Sequence, residues 1–152
     1  MLEQPLLKPD QENAYDHVIE HLKSKQIRIT ETRKAVTRYM ITTTHHPSAE
    51  QIYQDLLPMI PGMSLATVYN NLRVLVEAGF VSELKLSNDN TTYFDFLGHE
   101  HLHVVCESCG KIADIMDADV SIFKQTAQSA TGYKISKEQF LLYGICPSCQ
   151  NN

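Results

Sequence analysis

Two Cys-x-x-Cys pairs, Cys106–Cys109 and Cys146–Cys149, hold every cysteine of this 152-residue chain. Four thiolates in two such pairs suit a tetrahedral structural zinc site, and no other pattern restricts the fold as tightly. The pairs are separated by 36 residues, more than most zinc ribbons use. Doubling a loop adds only about 0.6 kcal/mol of closure entropy, against the roughly 10–16 kcal/mol that structural zinc returns. Disulfides are the competing reading. Met1–Asp10 has no apolar core behind a basic start, so no export signal is expected. A reducing, cytoplasmic compartment then favours zinc.

Charge alone does not announce a partner. The net charge is −5, which is not that of a typical nucleic-acid binder. Its distribution says more: Lys23, Lys25, Arg28, Arg33, Lys34 and Arg38 fall in one stretch, opposed only by Glu31. Such a run is often a plain solvated face. No apolar run of about 18 residues is present, so no membrane span is expected.

The first two-thirds of the chain has helical periodicity. Ala14, Tyr15, Val18, Ile19 and Leu22 make one stripe over residues 10–25. A second helix follows Thr30, with Ala35, Val36, Tyr39 and Met40 inward, and stops before Pro47. Ser48 caps a third helix, where Gln51 completes a capping box. Ser64 caps a fourth, whose apolar side is Leu65, Val68, Tyr69, Leu72, Leu75 and Val76, and Gly79 stops it. The period then changes to two. Phe80–Leu86 and Thr92–Phe96 read as strands around a turn of Ser87-Asn88-Asp89-Asn90. Short helices followed by a hairpin are the order of a winged helix-turn-helix, whose fourth helix enters the major groove.

At 100° per residue, Ala66, Thr67, Asn70, Asn71, Arg73 and Val74 lie away from the apolar stripe and Tyr69 sits at its edge. Asn pairs with adenine, Arg with guanine or phosphate, and Tyr or Ala packs on thymine methyls. Ala66, Thr67, Tyr69, Asn70, Asn71 and Arg73 are therefore the expected DNA contacts. Ordinary exposed residues, with Tyr69 in the core, are the bland alternative. The upstream basic cluster and the following wing favour DNA.

The expected domains are 1–97, the winged helix, and 98–152, a smaller unit. In the second, strands flank the first Cys pair, Asp119–Ala130 fits a helix with Val120, Phe123, Ala127 and Ala130 on one face, and Tyr133–Ile135 and Phe140–Gly144 read as strands. So small a unit needs zinc and a partner surface to hold a core. The expected class is α/β (α+β): a winged helix plus a zinc-stapled α/β unit.

His99-Glu100-His101-Leu102-His103 also matches the His-Glu-x-x-His pattern of zinc metallopeptidases. That chemistry needs a helix, where i and i+4 share a face. Between a hairpin and a Cys knuckle a strand is expected, with His99, His101 and His103 on one face and Glu100 on the other. The chain is read as a binding protein and not an enzyme. A zinc-stapled protein-interaction module is a further alternative, separable from a DNA binder by footprinting.

Three segments together carry a family resemblance. They are Ser64-Leu65-Ala66-Thr67-Val68-Tyr69-Asn70-Asn71-Leu72, His101-Leu102-His103 ahead of Cys106-x-x-Cys109-Gly110-Lys111, and Tyr143-Gly144 before the last Cys pair. The chain resembles the ferric uptake regulator family from about Glu20 to Cys149. The resemblance implies a homodimeric repressor of near-palindromic operator DNA, with a C-terminal dimerisation domain and structural zinc on Cys106, Cys109, Cys146 and Cys149. It also implies a regulatory site on His46, Asp95, His101, His103 and Asp114. Imidazoles and carboxylates suit Fe(II) or Mn(II). Iron-uptake members tend to carry Glu at the positions of Asp95 and Asp114, and peroxide-sensing members carry Asp. The resemblance thus favours the peroxide-sensing branch, in which oxidation of His46 and His101 releases DNA. An iron- or manganese-responsive uptake repressor is the alternative. Leu102 and Glu138 depart from the Asp and His of an additional metal site in many members. His99 and Glu100 add polar groups beside the sensor, and His17 and His21 read as exposed histidines.

Overall fold

The structure, a computed structural model, describes residues 6–87, 89–97 and 101–151, with His101 as backbone. The chain divides into two compact units, Met1–Gly98 and His99–Asn152. The first contains α1 (Pro9–Ser24), α2 (Glu31–Thr42), α3 (Ala49–Leu56), α4 (Leu65–Glu77), β1 (Val81–Lys85) and β2 (Thr92–Phe96).

Local chemistry sets the helix boundaries. Thr30, Ser48 and Ser64 each accept the N–H of the residue three ahead, at 3.1, 3.2 and 3.1 Å, satisfying donors that a helix start leaves unpaired. Gln51 turns its amide nitrogen down α3 to Asp55, 2.9 Å away. After α4 the chain reverses at Gly79, where φ is +83°, a conformation that costs a side-chain-bearing residue about 1–2 kcal/mol.

The apolar stripes converge on one core. Val18 and Leu22 of α1, Val36 and Met40 of α2, Ile52 and Leu56 of α3, and Val68, Leu72 and Leu75 of α4 are all buried, with Val81 and Phe94 beneath them. Polar side chains are buried in this unit too, Asn71 and Ser82 among them. Thr37 is buried, and Arg33, 8% exposed, donates to the carbonyl of Arg28. Arg33 therefore belongs to the interior and not to the basic surface, and its burial lowers its pKa. Val74, expected on the outward face, is half-buried against the core.

The wing is an antiparallel pair running from Val81↔Phe96 to Lys85↔Thr92. A third segment clips onto it. The N–H of Phe94 reaches the Pro47 carbonyl at 2.9 Å, and Ser48 bridges Tyr93. In that antiparallel register His46 faces Asp95.

The second unit contains β3 (His101–Cys106), β4 (Ile112–Met116), α5 (Ser121–Thr131), β5 (Leu141–Gly144) and the single turn α6 (Pro147–Gln150). The sheet order is β4-β3-β5, with β3 antiparallel to β4 and parallel to β5. A parallel neighbour requires a long crossover, and α5 lies within it. Because residues 101–106 are a strand, the helix that a His-Glu-x-x-His peptidase requires is not formed. Tyr133–Ile135, expected as a strand, is not one: Tyr133 is exposed, and Gln128 of α5 takes the Ile135 N–H at 3.2 Å. The Gln128 side chain, rather than a strand, takes the backbone N–H there.

Only His103, Val105, Cys106 and Val120 are buried among the described residues of this unit. α5 buries none of its side chains, and Phe123 is 60% exposed, touching Phe140 with ring centroids 5.4 Å apart. Among the described residues, no helix is long and apolar enough to cross a membrane.

The stability of the first unit should rest on the α4 interior. Leu72→Ala, at a site of zero exposure, is expected to cost about 2–5 kcal/mol. Urea titration would show this as a lower midpoint at unchanged slope.

Candidate functional site

α4 and the wing enclose a groove of about 540 Å³, lined by Ala66, Tyr69, Asn70 and Arg73 from the helix and by Glu83, Lys85, Thr92 and Phe94 from the strands. Period-two alternation builds the strand side. Ser82 and Leu84 are buried on one face, so Glu83 and Lys85 point out on the other. Arg73 donates to the Asn70 side-chain oxygen at 3.0 Å, so the two form one polar unit. Tyr69 is 43% exposed, and its hydroxyl donates to Glu50 at 2.7 Å. That bond raises the Tyr69 pKa and lowers that of Glu50.

Asn71 corrects the sequence-based expectation. It is 2% exposed and donates to the Thr67 carbonyl at 3.0 Å. An ideal helical wheel sets it beside Asn70, but the interior reaches round to its side of α4. It is removed from the candidate contacts. Thr67 is half-buried, with its hydroxyl 2.9 Å from that of the cap residue Ser64. Ala66, Tyr69, Asn70 and Arg73 remain at the groove. Glu50, Glu83 and Lys85 were missed. The outward phase of β1 was the available signal for the last two, whereas nothing local in the sequence marks Glu50.

Each unit also holds an imidazole beside a carboxylate. In the first, His46 Nε2 lies 3.7 Å from Asp95 Oδ1, with side chains 7% and 13% exposed. This is too long for a hydrogen bond, but it fits within two metal–ligand bonds of about 2.1 Å. In the second, His103 and Asp114 are register partners, and Nδ1 lies 2.9 Å from Oδ1. That is roughly the separation of neighbouring ligands on an ion with bonds of about 2.1 Å. Both pairs therefore fit a metal. His101 begins β3 two positions earlier; its side chain, with His99 and Glu100, lies outside the described residues. Glu138 faces Lys124 at 3.9 Å, and Leu102 brings no donor atom. His17 and His21 both pack edge-on against Phe80, at 5.7 and 5.2 Å between centroids.

The four cysteines come together. Their sulfurs all lie within 4.8 Å of one another, none is disulfide-bonded, and Cys109 and Cys146 are 3.8 Å apart. Zinc–sulfur bonds of about 2.3 Å give a tetrahedral edge of roughly 3.8 Å. Parallel pairing Cys106↔Gly144 sets Cys146 beside Cys106, to whose sulfur it donates its N–H at 3.3 Å. Gly110, with φ of +76°, turns the first knuckle and returns its N–H to the Cys106 carbonyl at 2.9 Å. The backbone N–H groups of Cys146 and Cys109 lower the Cys106 pKa to about 6. Ser108 favours the Cys149 thiolate, but the sulfurs of Cys146 and Cys109 together push its pKa up to about 12. Four thiolates cannot share so small a volume without a cation, so the cluster fits structural zinc.

A winged helix and a tetrathiolate cluster in one short chain define a metal-binding winged-helix protein. A profile of the ferric uptake regulator family matches residues 24–143, and the chain belongs to that family. The peroxide-responsive repressor PerR of Staphylococcus aureus is 40% identical over 140 residues, which cover 92% of this chain and 94% of that protein. PerR of Streptococcus pyogenes, solved to explain peroxide sensing and gene regulation, shares 59% identity over 99% of each chain, with a TM-score of 0.55. The ferric uptake regulator Fur of Helicobacter pylori is 22% identical over 97% of each chain with a TM-score of 0.74, a likeness of fold alone.

Replacing Cys149 by Ser should remove tightly held zinc and the cooperative melting of the second unit, because metal binding and folding there are one free energy. Metal analysis beside near-ultraviolet circular dichroism checks it. A variant retaining zinc and its melting temperature would remove the structural role.

Proposed function

We propose that this chain is a metal-dependent repressor that binds near-palindromic operator DNA as a homodimer and releases it when hydrogen peroxide oxidises its regulatory site. The observation that carries the reading is the pair of imidazole–aspartate sites, His46 with Asp95 and His103 with Asp114, apart from the thiolate cluster. Nitrogen and oxygen donors suit Fe(II) or Mn(II), as sulfur donors suit zinc. Two relatives that span nearly the whole chain are named for peroxide response and PerR.

The proposed regulatory ligands are His46, Asp95, His101, His103 and Asp114. His46 and Asp95 belong to the DNA-binding unit, and the other three to the small unit. Sharing one ion would couple the orientation of the wing and α4 to metal occupancy, and a coupling of about 1–3 kcal/mol suffices for a switch. Fe(II) held by these ligands would supply the redox chemistry that activates peroxide. His46 or His101 would then gain one peroxide oxygen at a ring carbon in place of its hydrogen, with the other oxygen leaving as water. An oxidised imidazole would donate poorly, so the link between units would be lost and DNA released. Tyr69, Asn70, Arg73 and Ala66 are the proposed reading residues, with Lys85 on the wing for phosphate.

The dimer is supported by apolar surface that the small unit leaves open. Ile122 and Phe123 on α5 and Leu142, Tyr143 and Ile145 around β5 are exposed. A unit with four buried side chains among its described residues would gain its core by covering that surface with a second copy. Phe123→Glu should therefore shift the protein to monomer in sedimentation while zinc content is unchanged. A variant that stays dimeric would place the interface elsewhere.

The peroxide reading is tested by mass spectrometry of tryptic peptides in parallel with DNA binding. Fe(II)-loaded protein should gain one oxygen on His46 or His101 as DNA affinity falls, whereas Mn(II)-loaded protein should keep both its mass and its DNA. DNA release without added oxygen would rule out the histidine mechanism. An equal response with Mn(II) would leave a metal-responsive repressor without peroxide sensing.

A further inference from the structure

Tyr69 is the largest side chain of α4 in the groove, yet it is not held by its own helix. Its hydroxyl donates to Glu50, 19 residues earlier and at the start of α3, over 2.7 Å. Glu50 sits in the first turn of α3, whose cap Ser48 takes the Gln51 N–H at 3.2 Å. Tyr69, the Glu50 backbone N–H and the Ser48 hydroxyl all favour the ionised form of Glu50. The Tyr69 bond thus ties the tip of a tyrosine in the groove to the start of another helix. An aromatic ring with 43% exposure and a free hydroxyl would sample several rotamers, each lost at an entropic cost on binding. A charge-assisted bond of this kind is the stronger sort.

Glu50 meets the groove through Tyr69, whose hydroxyl it accepts. A carboxylate near bound DNA repels phosphates, so as a mere surface charge it weakens binding to every sequence. Lys85 and Arg73 line the groove, yet the carboxylate pairs with the tyrosine.

Building on the DNA-binding reading, we infer that Glu50 is a positioning residue for sequence recognition: it locks the Tyr69 ring where its face meets a thymine methyl in the major groove. Thymine is the one base that offers an apolar group there. Glu50 does not touch the base. It converts a mobile aromatic into a rigid reader, and some general phosphate affinity is given up for discrimination at one base pair.

The test uses full-length Mn(II)-loaded protein and a duplex selected by the wild type from a random-sequence library. Each thymine of that duplex is replaced in turn by uracil, which lacks only the methyl. Wild type should lose about fourfold in affinity at one thymine per half-site, the worth of one buried methyl. Tyr69→Ala should abolish that penalty. Glu50→Ala and Tyr69→Phe should each reduce it, and the double variant should be no worse than either alone, since both remove the same bond. Glu50→Gln, which keeps an acceptor without the charge, should retain the penalty. Thermal melting confirms that each variant is folded.

The inference is overturned if Glu50→Ala keeps the full uracil penalty while binding all duplexes more tightly, since Glu50 would then act as a charge alone. It is equally overturned if no thymine is sensitive in the wild type. Should the wild type select no duplex at all, the DNA-binding reading fails first, so the two failures are distinct.

Discussion

Four sulfur atoms confined within 4.8 Å of one another cannot all be thiolates without a cation between them. That constraint governs the small unit. Its sheet has one strand leading into a Cys pair and a second, parallel strand leading into the other. The register between them is what sets Cys146 against Cys106. The unit buries too few apolar side chains to choose that register by hydrophobic burial alone. Metal charge does there what fourteen buried apolar residues do in the core of the DNA-binding unit.

The two units thus solve the same problem with different physics, and each places functional groups on its rigid part. In the winged helix, the clip of Pro47–Ser48 onto β2 brings His46 opposite Asp95. In the small unit, the β3–β4 ladder brings His103 opposite Asp114. Both pairs are aligned by backbone pairing to a strand, and preorganised donors lower the ordering cost of binding a ligand.

Much of this was legible in the sequence because the relevant signals are local. Cap residues Thr30, Ser48 and Ser64, the apolar stripes, the stop at Gly79 and the two Cys pairs each act within a few residues. Asn71 was misplaced because a helical wheel knows angles but not how far the interior curves around a helix. Arg33 looked like surface charge because its acceptor, the Arg28 carbonyl, is a backbone atom that no side-chain pattern reveals. Tyr133–Ile135 has strand propensity, but propensity is a weak local preference, and the Ile135 N–H is taken by the Gln128 side chain of α5. Glu50 was invisible for a related reason: its partner is 19 residues away on another helix. The proposed regulatory set rests on family likeness, since nothing in the spacing of His46 or Asp95 connects them to the histidines of β3.

The sheet order β4-β3-β5 has a kinetic consequence. β3 meets its antiparallel neighbour across a knuckle of a few residues, and such hairpins form within about 1–10 μs. Its parallel neighbour arrives only after α5 and a long crossover, and pairings of that kind close orders of magnitude later. The first two cysteines are therefore assembled early and wait as a half-built chelate. During that interval competing chelators and oxidants act on two thiols rather than on a closed cage. Once β5 docks, all four sulfurs lie within 4.8 Å of one another and can share one ion, so the chain's sensitivity to zinc scarcity is greatest while it folds.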